Sequence, residues 1–249
     1  ESDRIRLMPV SLKDECVLIA GASGGVGREA AILFAREGAR VMASARRLDR
    51  LEQLKAELAA EGHTISVMAA DTSNLDQVNA LVAAAMAEFG RVDICVYSSG
   101  TNTKERALTR LTPPVWHELL NVNLHGAYYI TQALLPSMRA ARKGHLIYVS
   151  SISGLRSDVS GAAYQASKRG LNGLAHAVRV EEKENRIRTC ALCPGLIDSE
   201  LMEKRPVKPS PEQLAQALKP ADVAEAIVAV AKLNPNVTVA ELEIVPTTI

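Results

Sequence analysis

From Cys16 onward the chain alternates short apolar runs with longer segments in which leucine and alanine recur every three or four residues. A short continuous apolar run is the signature of a strand buried on both faces, and the longer spacing is a helix with one apolar stripe. Their alternation implies βαβ units, and therefore parallel strands with helices over the sheet. Strands are expected over residues 16–20, 40–45, 65–69, 93–97, 145–149, 188–193 and 242–245. Helices are expected over 26–36, along the stripe Leu48, Leu51, Leu54 and Leu58, over 75–89, over 115–138 with Pro136 bending or ending it, and over 164–183. Right-handed crossovers leave a single-domain, doubly wound parallel sheet flanked by helices as the simplest arrangement. The 249 residues suit one such α/β domain at 11–249, behind a flexible leader at 1–10.

Composition excludes several classes of partner. The net charge is +1 and the basic residues are dispersed, so no footprint for nucleic acid or an anionic membrane is expected. The segment Cys190-Ala191-Leu192-Cys193 has the spacing of a redox or zinc pair, but it alternates like a strand and no second Cys/His pair lies nearby. Cys16 and Cys95 also lie in apolar runs, where cysteine acts as a small hydrophobe, so no metal is expected. Without a secretory signal or a bilayer-length apolar stretch, the expectation is a cytoplasmic protein with no membrane partner.

Between the first strand and the first helix lies Gly21-Ala22-Ser23-Gly24-Gly25-Val26-Gly27. Glycine removes side chains where the backbone turns sharply and where a pyrophosphate approaches the amides at a helix N-terminus. A strand before and a helix after are the context that a dinucleotide site requires, so the sheet is expected to be of Rossmann type.

A second constellation is Tyr164-Gln165-Ala166-Ser167-Lys168, with Ser151 thirteen residues before the tyrosine. Reducing a carbonyl by hydride transfer needs a proton donor at the developing alkoxide, a group that lowers the donor's pKa, and a hydrogen bond to the carbonyl oxygen. Tyr164, Lys168 and Ser151 supply these residue types. Tyrosine and lysine four apart share one face of a helix, so the ammonium is expected to favour the ionised phenol by its charge.

These motifs, in this order, resemble the short-chain dehydrogenases/reductases across almost the whole chain. The resemblance also takes in Asp71 after the third strand, the end of the fourth strand, Asn121-Val122-Asn123-Leu124-His125-Gly126, Ser150-Ser151, and Pro194-Gly195-Leu196-Ile197-Asp198-Ser199. It implies that Tyr164 is the acid in reduction and the base in oxidation. Lys168 would hold the nicotinamide ribose and lower the phenol's pKa, and Ser151 would bond the substrate oxygen. Asn123 would open its helix around a water in a proton relay. Cofactor contacts would come from Gly21, Ser23, Gly24, Gly25, Val26 and Gly27, from Asp71 with Thr72 at the adenine, and from Ser99 and Gly100 at the adenosine ribose. Pro194, Gly195 and Ile197 would border the nicotinamide. Asp71 also reads as a helix cap, and the two roles are compatible.

Cofactor choice rests on the end of the second strand, where an acid would accept from the ribose hydroxyls and repel a phosphate. Ala45 stands at the position where NAD-dependent relatives usually place Asp, and Arg46 and Arg47 follow. A guanidinium can grip a 2'-phosphate, so NADP(H) is expected over NAD(H), or else both arginines are ordinary solvated residues.

The sequence departs from the family at Tyr97-Ser98-Ser99-Gly100, where Asn-Asn-Ala-Gly is usual, and at Ala20. Tyr97 therefore needs space and a partner for its hydroxyl. Lys204, Arg205 and Lys208, among prolines, read either as a lid that meets a carboxylate or a carrier-borne phosphate, or as charges that keep a loop in solution. The acceptor is expected to be a small-molecule carbonyl or alcohol. Two groups of relatives fit, the 3-oxoacyl carrier-protein reductases and the dehydrogenases of small hydroxy acids, and the ending at 242–247 favours the second. The alternative is a non-catalytic NADP-binding regulatory or structural subunit. Family resemblance implies a homotetramer or homodimer built on the two long helices, with Leu119, Tyr128 and Leu174 as outward candidates.

Overall fold

The structure is a computed structural model that describes residues 10–248, so the leader expected at 1–10 lies almost wholly outside the described residues. Seven strands form one sheet: β1 (Cys16–Ala20), β2 (Arg40–Ala45), β3 (Ile65–Ala69), β4 (Ile94–Tyr97), β5 (Gly144–Val149), β6 (Ile187–Pro194) and β7 (Glu241–Ile244). Their order is β3-β2-β1-β4-β5-β6-β7 and every pair is parallel. The order reverses between β1 and β4, which opens a crevice at the carboxyl ends of the strands.

Successive residues of each strand feed opposite layers, and both layers are apolar. Val17, Ile19, Val41, Ala43, Val96 and Ile147 face one side, where α1 (Gly25–Arg36), α2 (Leu48–Ala60) and α8 (Pro220–Ala231) cover them. Cys16, Leu18, Met42, Cys95, Tyr97 and Tyr148 face the other, under α3 (Leu75–Phe89), α5 (Gly126–Ala141) and α6 (Ala162–Glu181). This two-sided burial explains why the strands read as unbroken apolar runs. All four cysteines are buried and free, so Cys190 and Cys193 act as packing residues of β6.

Three elements differ from the sequence expectation. The helix expected over 115–138 is α4 (Pro113–Leu120), a π turn at Asn121–His125, and α5. Pro136 does not end α5, which runs on to Ala141. The sequence reading places no element at 220–231, where α8 packs Val223, Ala224, Ile227 and Val228 into the core shared with α1. A short helix, α7 (Pro211–Gln216), capped by Ser210 and Gln213, punctuates the segment that follows β6. Leu119 is buried within the chain, Tyr128 is exposed on α5, and Leu174 packs partly against the core. Among the described residues no helix is long and apolar enough to cross a membrane.

Candidate active site

A cleft of about 650 Å³ lies over the carboxyl ends of β1, β2, β4, β5 and β6. At one end is the glycine turn. Gly21 adopts φ +94°, and a β-carbon there would lie 2.6 Å from the Ser99 main-chain nitrogen. A β-carbon on Gly27 would collide with the Gly21 carbonyl, so Gly27 seats α1 against the turn and does not line the cleft. The Ser44 carbonyl fixes the turn by accepting from Gly21 N (2.7 Å) and Ala22 N (3.0 Å). Gly24 occupies the N-cap of α1 without a capping side chain, and Gly25 adopts φ +54° with nothing within 4 Å of an added β-carbon. The resulting cradle of free amides beside an open face fits a dinucleotide pyrophosphate.

Beyond it, Arg47 donates through Nε (3.2 Å) and Nη2 (3.1 Å) to Ser23 Oγ and through Nη1 to Glu200 Oε2 (3.0 Å). Arg50 pairs with the same carboxylate. Arg46 also lines the cleft but makes no side-chain bond among the described residues, so the arginine tied into the glycine turn is Arg47. Asp71 accepts from Ser73 N (2.9 Å) and Ser73 Oγ (2.7 Å). Asn74 is the residue that caps α3, which leaves Asp71 to shape the turn before it.

At the opposite end Ser151, Tyr164 and Lys168 are all buried and all line the cleft. Burial pushes the Tyr164 phenol up to about 12, and a hydrogen bond with Ser151 opposes this. Burial likewise pushes the Lys168 ammonium down to about 8. The ammonium donates to the Val149 carbonyl at 2.9 Å and stands 5.7 Å from the centre of the Tyr164 ring. The sequence expects the lysine charge to set the phenol's acidity. In the structure the loss of water around the ring is the largest influence on the phenol.

Asn123, fully buried on the π turn, clasps the chain beyond β4. Its Oδ1 accepts from Thr101 N at 2.8 Å, and its Nδ2 donates to Thr101 O and Ser167 Oγ, both at 3.0 Å. Gly100 lies between the two groups, since a β-carbon there would meet Lys168 Nζ at 3.6 Å and Asn123 Oδ1 at 3.8 Å. The cleft is also lined by Thr72, Ser99, Pro194, Gly195 and Ile197. Tyr97 finds its space opposite Gly126 and its partners in Thr72 Oγ1 (3.2 Å) and the Val122 carbonyl.

The profile of the short chain dehydrogenases matches residues 15–209, well over half of the chain. The chain belongs to the short-chain dehydrogenase family. An uncharacterized oxidoreductase of Staphylococcus saprophyticus is 33% identical over 224 residues, 87% of this chain and 89% of that one. The 3-oxoacyl-[acyl-carrier-protein] reductase of Thermotoga maritima is 31% identical over 221 residues, with the same coverage of 87% and 89%. Among solved structures, the alcohol dehydrogenase of the archaeon Thermococcus sibiricus complexed with 5-hydroxy-NADP superposes with a TM-score of 0.85 at 28% identity, covering 95% of this chain and 98% of that one.

Other residues of this short-chain dehydrogenase are found only in three dimensions. Arg106, Arg156 and Asp158 line the cleft near Tyr164, together with Lys204 and Arg205, two of the lid residues already singled out in the sequence. Lys208 instead turns to Glu203 at 2.6 Å and lies outside it. Pocket-facing charges on loops have no periodicity to mark them, so nothing in the sequence separates Arg106 from its neighbour Lys104.

Proposed function

We propose that the chain is an NADP(H)-dependent oxidoreductase that interconverts a carbonyl compound and a secondary alcohol. The observation that carries this reading is that Ser151, Tyr164 and Lys168 line the same cleft as the glycine turn, with Asn123 behind its wall where Gly100 separates it from Lys168. NADPH bound along the cleft would supply a hydride from its nicotinamide C4.

The residues divide the remaining work. The Tyr164 hydroxyl lies within hydrogen-bond reach of Ser151, whose own hydroxyl donates to Ser153 Oγ at 3.1 Å, and in this reading both would turn to a carbonyl oxygen gaining charge. A phenol is protonated at neutral pH and burial raises Tyr164 further, so it has a proton to give to the alkoxide. Lys168 is available to the nicotinamide ribose hydroxyls and, from the same position, to the phenolate that remains. Asn123 holds the backbone at Thr101 and the helix at Ser167 in register with both groups.

Preference for NADP(H) is supported by the absence of an acid at Ala45 and by the guanidinium of Arg47 against Ser23, and the archaeal neighbour is complexed with an NADP derivative. The small oxo compound and the 3-oxoacyl thioester remain the two substrate classes of this reading, and a dimer or tetramer is the proposed assembly. The test is a screen of purified protein with NADPH and NADH against ketones, 3-oxo thioesters and alcohols, followed by the absorbance of the reduced nicotinamide. NADPH consumption with at least one carbonyl class is expected. Cofactor binding without turnover of any compound would favour a non-catalytic subunit, and a clear NADH preference would overturn the cofactor assignment.

A further inference from the structure

We propose that the carbonyl substrate carries a carboxylate, and that Arg106 holds it with Arg205 beside it. This inference rests on the oxidoreductase reading above and names the class of molecule that enters the same site.

Arg106 projects from the segment after β4 and is held by main-chain carbonyls of three separate loops. Its Nε donates to Thr103 O (3.0 Å), Nη2 to Lys204 O (2.8 Å) and Nη1 to Val159 O (3.5 Å). A guanidinium has five N–H groups, so one remains on each Nη to meet an anion. The side chain lines the same cleft as Tyr164 and lies within charge range of it. A β-carbon on Gly161, at the start of the helix that carries Tyr164, would lie 2.6 Å from Arg106 Cβ.

The charge around Arg106 is unbalanced. Among the described residues no carboxylate forms an ion pair with Arg106, Lys204 or Arg205, whereas Arg156 pairs with Glu243 at 2.6 Å and Lys208 with Glu203. Lys204 Nζ donates to Thr101 Oγ1 at 2.7 Å, and the Arg205 side chain makes no hydrogen bond among the described residues. Asp158 is the one acid in this wall, and it accepts from Ser153 Oγ and from Ser160 N (2.8 Å). Burial and the charge of Arg205 disfavour the Arg106 cation, and the charge of Asp158, which forms no ion pair with it, offsets them only in part. Like charges gathered on one wall are unfavourable alone and become favourable when an anion binds. The arginines of the opposite end, Arg47 and Arg50, already share Glu200, so the two basic ends of the cleft are separate.

The test compares kcat/KM with NADPH for acetoacetate and levulinate against their methyl esters, and for dihydroxyacetone phosphate against dihydroxyacetone. The free acids are expected to exceed their esters by roughly tenfold or more, the scale of one charge-assisted pair. Arg106→Leu should erase most of that ratio, and Arg106→Lys should restore part of it. Arg205→Leu, which has no hydrogen bond to lose on folding, should lower the ratio as well, while Arg110→Leu, outside the cleft, keeps it. Equal rates for acids and esters would overturn the proposal, as would a ratio unchanged in both Arg106→Leu and Arg205→Leu. A phosphate ester preferred over every carboxylate would also overturn it. Absence of turnover with any carbonyl compound would remove the oxidoreductase reading itself, and this inference with it.

Discussion

The Tyr97 hydroxyl donates to the main-chain carbonyl of Val122, the residue immediately before Asn123 in the π turn. The fourth strand is thereby tied to the one segment of the long helix that departs from α geometry, and Gly126 opposite leaves room for the ring. The asparagine usual in the family is replaced by a side chain that reaches across to the next element.

Tyr97→Phe should therefore leave the Val122 carbonyl short of a donor in a buried site, at a cost of roughly 1–2 kcal/mol in stability. A thermal melt will show a lowered Tm. With Asn123 less firmly placed, kcat is expected to fall more than KM for NADPH rises. An unchanged kcat beside a lowered Tm would mean that Asn123 is held by Thr101 and Ser167 alone.

Tyr164→Phe keeps the ring and removes the proton. Turnover should drop by a factor on the order of 100 to 10,000, while NADPH binding followed by fluorescence titration stays nearly intact. Lys168→Ala should harm both. Because burial brings the Lys168 ammonium down to about 8, the group is charged below that pH and neutral above it. Cofactor affinity should weaken as pH rises from about 7 to about 9 in the parent enzyme and lose this dependence in Lys168→Ala.

Glu200 neutralises Arg47 and Arg50 at the glycine-turn end of the cleft. Glu200→Gln should raise affinity for NADPH severalfold and leave NADH almost unaffected, since only the former brings a phosphate to these guanidinia. Arg47→Ala should do the reverse, and Arg46→Asp should weaken NADPH use through repulsion. Isothermal titration with both cofactors separates these outcomes. Equal gains for the two cofactors in Glu200→Gln would show that the carboxylate blocks entry in general.

His145 lies buried in β5 with neither ring nitrogen bonded among the described residues, and burial together with the charge of Arg188 lowers its pKa well below the ordinary value. The folded chain keeps it neutral, whereas the unfolded chain takes up a proton below about 6.5. The unfolded state then binds more protons, so stability falls as pH drops through that value towards the folded pKa. His145→Leu should flatten the fall in Tm between about pH 7 and about pH 5. A parallel fall in both proteins would assign it to other groups.

The alternation of apolar runs and amphipathic helices determined the sheet, because strand and helix periodicities are local and right-handed crossover leaves few ways to join them. For the same reason Ser151, Tyr164 and the glycine turn were legible: each sits at a strand end or on a helix face, and the sheet brings all strand ends to one crevice. Tertiary structure decided what depends on partners remote in the chain. The break in the long helix is set where Tyr97 meets Val122 and Asn123 clasps Thr101, contacts that no window of the helix sequence contains. How strongly burial acts on Tyr164 and Lys168 was likewise decided by the fold, because burial is a sum over every surrounding element and no window of the sequence contains it. Arg106 became a cleft residue only when carbonyls from three loops converged on it, and loop convergence leaves no period in a sequence.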